Sequence, residues 1–392
     1  MEAKCLSKAQ QLSLDRITTL PESITETILC LLPIEDAART SILSREWRYK
    51  WTKIPKLVFY SSGEFERTSE KTASDIQMAR KNMDERCKLF YVVYQVLLLH
   101  QGPIHEFTLI MDADRHCFEI DQIILYLSRN HAIKKLQLGF AERAFYKLPL
   151  SAFSLHQLTD LDLSQIVLDH QPIFGGFPNL RSLELHCVYS STKALLHLLS
   201  NFPSLTRFTV YNDRSIGGQK DCTIIELFEC LPAIEHLDTN AVSFLEMLVL
   251  DSIPKELPTL LIHLKYICLQ EVWLFDDGLR FLAALIKCSP NLETITLLAP
   301  EEKESYDNMI WSSILEEYSD VCLEYLNELV IGFNIYFKPE LEFVKFILAR
   351  SPKLKKVRIS CLVDTDQEKF EILNALSQAR GASGVQIDLV KY

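Results

Sequence analysis

One pattern recurs along the chain and fixes most of what it can fold into: an apolar residue, two others, a second apolar residue, one other, and a third. Strict copies are Leu158/Leu161/Leu163, Leu180/Leu183/Leu185, Leu264/Ile267/Leu269, Leu292/Ile295/Leu297, Leu326/Leu329/Ile331 and Leu354/Val357/Ile359. Looser copies begin at Ile104, Ile133, Leu205 and Ile234, and a degenerate one at Ala382. The eleven starts lie 22 to 34 residues apart. A period of roughly 20–50 residues marks stacked repeats, in which one unit cannot bury its own apolar face. Between copies, Gly278–Cys288 and Glu340–Arg350 carry apolar residues at helical spacing and end at Ser289-Pro290 and Ser351-Pro352; Ala194–Leu199 ends at Phe202-Pro203. The unit predicted is a helix, a Pro-marked stop and a short strand.

This spacing resembles the leucine-rich-repeat family. The resemblance implies an α/β solenoid with parallel strands on the concave side and helices on the convex side. The chain departs from the family in one respect: the usual turn Asn or Cys is replaced by Ile166, Val188 and Val272.

Composition narrows the function classes. The net charge of −11, with no run of five Lys/Arg, argues against nucleic acid as a partner, since phosphate backbones demand a basic surface. The eleven cysteines are scattered without a CxxC pair, as expected of reduced thiols acting as small core hydrophobes. The most apolar stretch, Phe90–Leu99, falls short of the roughly 18 residues of a membrane span, and Met1–Ser13 has no signal-like apolar core. A soluble protein of the cytoplasm and/or nucleus, with no membrane contact, is expected.

Residues 16–55 have another texture. Ile24, Ile28, Leu29 and Leu32 share one side of a helix that starts after Pro21 and breaks at Pro33; a second helix is predicted over Ala37–Leu43, and a third behind Ser44 carries Trp47 and Trp51 four apart. Some forty residues bury little core alone, so an apolar face is left for a neighbour or a partner. Leu20-Pro21, Ile28-Leu29-x-x-Leu32-Pro33, Asp36–Ser41, Leu43-Ser44-Arg45 and Trp47-Arg48-x-x-Trp51 together resemble a plant F-box. The resemblance implies docking to a Skp-family adaptor, and through it to a cullin and its RING partner, by Leu20, Pro21, Ile24, Ile28, Leu32, Pro33 and Ile34. It leaves Trp47 and Trp51 to pack the module. Leu97–Ile104 resembles the start of the repeats in plant F-box/leucine-rich-repeat proteins. Leu329-Val330-Ile331-x-Phe333, Glu340–Leu348 and Ser351-Pro352-x-Leu354 resemble their FBD segment. The expected organisation is a flexible 1–14, an F-box over 15–55, a linker and lead-in helix over 56–103, and repeats over 104–392, of which 322–392 is FBD-like; polar residues 61–82 are expected to form a loop.

No nucleophile elbow, zinc-protease, P-loop or dinucleotide motif occurs. Asp160-x-Asp162 and Asp112-x-Asp114 are expected to be solvated carboxylates, so no metal and no cofactor is anticipated. With Leu161 and Leu163 inward, alternation exposes Asp160 and Asp162, and likewise Glu184, Arg207, His236, Asp238 and Tyr266, as the surface for an unknown target protein; the same logic exposes Ser182 and Cys268. That face is acidic near the third and fourth repeats and basic toward both ends. The function expected is a non-catalytic, substrate-recruiting subunit of a ubiquitin ligase. The alternative is a repeat scaffold that binds proteins without ligase docking, and a third class, an enzyme, calls for a deep pocket with convergent polar groups.

Overall fold

The structure, a computed structural model, describes residues 17, 20–61, 75–113, 117–140, 145–168, 176–211, 223–240, 261–271, 276–298, 316, 318–332, 338–361, 366–379 and 384–391. The predicted N-terminal segment 1–14, Asp114, Val272 and Phe333 lie outside the described residues. The chain divides into two compact units, Met1–Leu155 and His156–Tyr392.

The first unit begins with α1 (Glu22–Cys30) and α2 (Ile34–Arg39), each entered through a proline, Pro21 and Pro33. Proline suits a helix start because the first N–H groups have no intrahelical acceptor. The expected second helix, Ala37–Leu43, starts earlier as α2 and ends in a short 3-10 turn over Thr40–Ile42, and the expected third is 3-10 over Trp47–Lys53. Thr40 and Ser41 explain the tightening: their hydroxyls donate to the carbonyls of Ala37 at 2.6 Å and Ala38 at 2.5 Å, three residues back, in competition with the α-helical ladder. The Ser44 hydroxyl accepts from the Trp47 N–H at 3.3 Å. Trp47, Trp51, Leu29, Ile34 and Ala37 are buried.

Strand β1 (Lys56–Tyr60) follows, then α3 (Asp75–Leu99), β2 (Glu106–Met111), α4 (Phe118–Asn130) and β3 (Lys135–Phe140); β1, β2 and β3 pair in parallel. β1 lies in the stretch expected to be linker: Ile54, Leu57 and Phe59 are all buried, at the same spacing as the recognised copies. Of the expected polar loop 61–82, residues 75–82 are helical and 62–74 lie outside the described residues. Gly102 is sterically required, since a Cβ there would sit 2.7 Å from the Lys53 carbonyl oxygen.

Three histidines join these elements. His100 Nε2 pairs with the Ile54 carbonyl at 2.9 Å, His105 Nδ1 with the Ala132 carbonyl at 3.1 Å, and His131 Nδ1 accepts the Ile104 N–H at 3.3 Å. Burial, then the neighbouring His100 and His105, holds His131 below the ordinary histidine value. The unfolded chain therefore binds more protons as pH falls from the unfolded histidine value toward the folded one, and stability is lost across that window. His131→Asn, which keeps an acceptor and removes the titration, is expected to flatten the acid limb of a melting-temperature versus pH curve. An unchanged limb would assign it to other groups.

In the second unit nine strands run in parallel and in chain order: β4 (Asp160–Ser164), β5 (Ser182–His186), β6 (Arg207–Tyr211), β7 (His236–Asn240), β8 (Tyr266–Gln270), β9 (Thr294–Leu298), β10 (Glu328–Gly332), β11 (Lys356–Cys361) and β12 (Gln386–Lys391). Helices α5 (Thr192–Leu199), α6 (Ile224–Glu229), α7 (Asp276–Lys287), α8 (Lys338–Arg350) and α9 (Asp366–Ser377) fall between strands. Registers place apolar row against apolar row, as in Leu161↔Leu183 and Leu163↔Leu185, and every residue of these two rows from β4 to β11 is buried. Only Thr239 is polar there, and its hydroxyl donates to the Asn240 carbonyl at 3.2 Å.

The three predicted stops, and two more at Phe177 and Leu231, are β-turns with proline second: Leu180, Leu205, Ile234, Leu292 and Leu354 N–H groups donate to the carbonyls of Phe177, Phe202, Leu231, Ser289 and Ser351. Without the Asn ladder, a main-chain splice holds the strand starts. The Thr159 carbonyl accepts both Arg181 and Ser182 N–H groups, and the carbonyls of Arg181, Thr206, Glu235, Lys265, Glu293 and Asn327 repeat the double acceptance one strand on. Ile166 and Val188, at the missing-Asn positions, are buried.

Candidate functional site

Two surfaces collect the residues singled out in the sequence, one in each unit. The first is the box. On α1 the fates of neighbours diverge: Leu29 is 1% exposed, whereas Ile24 is 47%, Ile28 38% and Leu32, just past the helix, 36% exposed. Pro21 and Pro33 are exposed and Leu20 is half-buried. Ile34 departs from expectation: it lies on the inner side of α2 with Ala37 and is buried within the chain itself. Leu31, Ile42 and Leu43, not foreseen, are exposed, at 80%, 87% and 56%. On α1 the burial of Thr25 and Leu29, rather than of all the apolar positions together, leaves Ile24 and Ile28 exposed. So many exposed aliphatic side chains in one small module form the kind of surface that partners bury. A cavity of about 250 Å³ in the same module, lined by residues including Thr25, Leu29, Glu46, Lys50, Lys53 and Ile54, includes none of the expected docking residues.

The second surface is the polar face of the strands. The registers arrange it in rows. One runs Asp160, Ser182, Arg207, His236, Tyr266; the next runs Asp162, Glu184, Thr209, Asp238, Cys268; beyond them Ser164, His186 and Tyr211 line up, and Asn240 pairs with Gln270. Asp160, Asp162, Glu184, His236, Asp238 and Tyr266 are half-buried and Arg207 is exposed, so all seven singled-out residues share one face. Ser182 and Cys268 are buried instead: each is small and stands between longer neighbours, Asp160 and Arg207 in one case, Asp238 and Thr296 in the other.

The middle of this face is a linked network. The Tyr211 hydroxyl donates to the Asp238 carboxylate and accepts from Gln270 Nε2 at 2.7 Å. The His186 ring stacks on Tyr211 with centroids 5.4 Å apart, and His186 Nε2 lies 3.9 Å from the Glu184 carboxylate. Glu184 is held below the usual carboxylate range, first by His186. Burial, then Asp238, raises the Tyr211 hydroxyl, and burial, then Asp238, pushes the Cys268 thiol up to about 12, so that thiol stays protonated and unreactive at neutral pH. Toward the C-terminal end the basic residues are already engaged: Arg358 pairs with Glu328 at 2.6 Å and Lys356 with Asp388 at 3.5 Å. No helix of the described residues is long and apolar enough to cross a membrane.

Comparison with known proteins bears on the family of the whole chain. Residues 17–59 match the F-box domain. An F-box/FBD/LRR-repeat protein of Arabidopsis thaliana is 31% identical, covering 95% of this chain and 98% of its own length. A second Arabidopsis protein of that name is 24% identical over 94% of this chain and 95% of its own. A third is 26% identical over 55% of this chain and 46% of its own.

Proposed function

Because the chain belongs to the F-box/FBD/LRR-repeat proteins, we propose that it is a non-catalytic substrate adaptor of a Skp-cullin-F-box ubiquitin ligase. The observation that carries this reading is the exposed set Ile24 and Ile28 on α1, with Leu31 and Leu32 just past its end, while the helix already has its own buried face. An amphipathic helix offering such a row suits a hydrophobic groove on a partner. That partner is a Skp-family adaptor, met through the outward set together with Leu20, Pro21 and Pro33, and through it a cullin. Ile34 stays in the box's interior.

The parallel strands in chain order, with one buried and one polar face, support a leucine-rich-repeat solenoid whose strand face captures a target protein. Such a subunit needs no acid, base or nucleophile: it raises the rate by holding the target's lysine near a charged ubiquitin carrier. Asp160, Asp162, Glu184 and Asp238 favour a target segment that is basic or of mixed charge, with Arg207, His236 and Tyr266 on its border.

Two measurements test the proposal. The full chain should co-purify with a recombinant Skp-family adaptor; a repeat scaffold without ligase function would not. Deleting the box should leave targets bound but no longer degraded, so they accumulate in an affinity capture. Against those targets, reversing Asp160, Asp162 and Glu184 to lysine is expected to abolish capture, and unaltered capture would move the target site elsewhere.

A further inference from the structure

We propose that two copies of this chain pair antiparallel through the outer stripe of α3, with Cys87, Tyr91, Tyr94 and Leu98 as the seam. This goes beyond the adaptor reading and does not depend on it. A helix lying on a protein surface needs one apolar face, and α3 already has one: Leu89, Phe90, Val93, Val96 and Leu97 are buried. A second row runs down its outer side. Cys87, Tyr91, Tyr94 and Leu98 are spaced four, three and four residues apart, so they line up along the helix, and all four are exposed. Tyr91 is 66% and Leu98 79% exposed. Phe118, at the start of α4, is 74% exposed and stands beside the row, because the Tyr94 hydroxyl donates to the neighbouring Glu119 carbonyl at 3.5 Å.

Three observations favour a second copy as the occupant. The first is the interval: alternating steps of four and three are what the seam of two supercoiled helices requires. The second is self-complementarity. Laid antiparallel about a two-fold axis midway between Tyr91 and Tyr94, each Tyr91 meets Tyr94 of the other copy and each Cys87 meets Leu98 of the other copy. All four seam positions then find an apolar counterpart, with two aromatic layers at the middle. A two-fold contact uses one patch twice, which this register satisfies. On the solvent flank of the seam, exposed Lys88 comes opposite exposed Gln95 of the other copy, so no like charges are opposed. The third is area. Tyr91, Tyr94 and Phe118 are 66%, 36% and 74% exposed and leave open roughly 350 Å² of aromatic surface, at about 200 Å² for a whole side chain. That is nearly half of the roughly 800 Å² that a stable interface takes from each partner. Leu98, and Met83 one turn before Cys87 and 59% exposed, extend the patch, and Lys88 and Gln95 begin its polar rim.

The full chain alone tests this. Size-exclusion chromatography with light scattering, run over a concentration series, should reach twice the 45.2 kDa mass of one chain. Tyr91→Glu and, separately, Leu98→Glu should each weaken pairing by at least roughly 100-fold, because the two-fold buries every introduced charge twice. Both residues stand in water in the single chain, so each variant should keep the circular-dichroism spectrum of the unaltered protein. Leu150→Glu, at a residue 70% exposed but off the stripe, should leave the doubled mass unchanged. Leu98→Cys reads the register: on oxidation with diamide, mass spectrometry should find Cys87 of one copy joined to the introduced thiol of the other. In the unaltered chain, Cys87 should not join its own counterpart. A single-chain mass throughout, which is also the result if the stripe serves a target protein, overturns the proposal. So does a dimer that Tyr91→Glu and Leu98→Glu leave intact, one that Leu150→Glu dissolves, or a bridge between the two copies of Cys87, which would make the helices parallel.

Discussion

Ile28→Asp is expected to destroy adaptor docking while leaving the chain folded. Ile28 is 38% exposed on α1, so a carboxylate there remains hydrated in the free protein. In the complex the same carboxylate would be stripped of water inside an apolar groove. Losing a central apolar anchor of an interface costs about 2–4 kcal/mol, and stranding a charge there adds to it. The affinity for a recombinant Skp-family adaptor, measured by titration calorimetry, should therefore fall by at least about 100-fold. Its neighbour supplies the contrast. Leu29 is buried, and Leu29→Ala should cost about 2–5 kcal/mol of box stability because it leaves a cavity. If Ile28→Asp binds the adaptor normally, or fails to fold as Leu29→Ala would, then α1 does not present its outer row to a partner.

Phe208→Ala should cost the second unit about 3–5 kcal/mol of stability. Phe208 is among the largest fully buried side chains and stands in register with Leu183 and Leu237 on the flanking strands. Neither neighbour can leave its own ladder to fill the space. Urea denaturation followed by circular dichroism reads the effect. The residue beside it in sequence, Thr209, points to the polar face, and Thr209→Ala should stay within roughly 0.5 kcal/mol. Equal effects at the two positions would mean that the face is not solvated.

These contrasts also show what in the sequence was readable. Burial along β4 to β11 followed the Leu-x-x-Leu-x-Leu spacing, because the side-chain period of a strand is two and the core accepts only one parity. β1 escaped notice although Ile54, Leu57 and Phe59 keep the spacing, because Ile54 closes the stretch read as the box and stands 50 residues before the next copy, outside the period of the others. The tightening at Thr40 and Ser41 was missed for a different reason: it depends on two hydroxyls choosing local carbonyls, which hydrophobic periodicity does not report. Ile34 looked like its neighbours in composition, and only the packing of α2 turned it inward. The network of His186, Tyr211, Asp238 and Gln270 was invisible for a geometric reason: its members lie on four different strands, and only the sheet brings them side by side.

The splice of doubly accepting carbonyls at the strand starts bears on how such a chain can change. It joins strand to strand through peptide groups alone, from Thr159 to Asn327. Any residue but proline can donate at those N–H groups, so the join does not care which side chains flank it. Asp160, Arg207, His236 and Tyr266, each just past or at a splice point, can be exchanged for others with little penalty to the scaffold. A lineage built this way is free to acquire new clients by substitution on the polar rows while the oily rows beneath stay as they are.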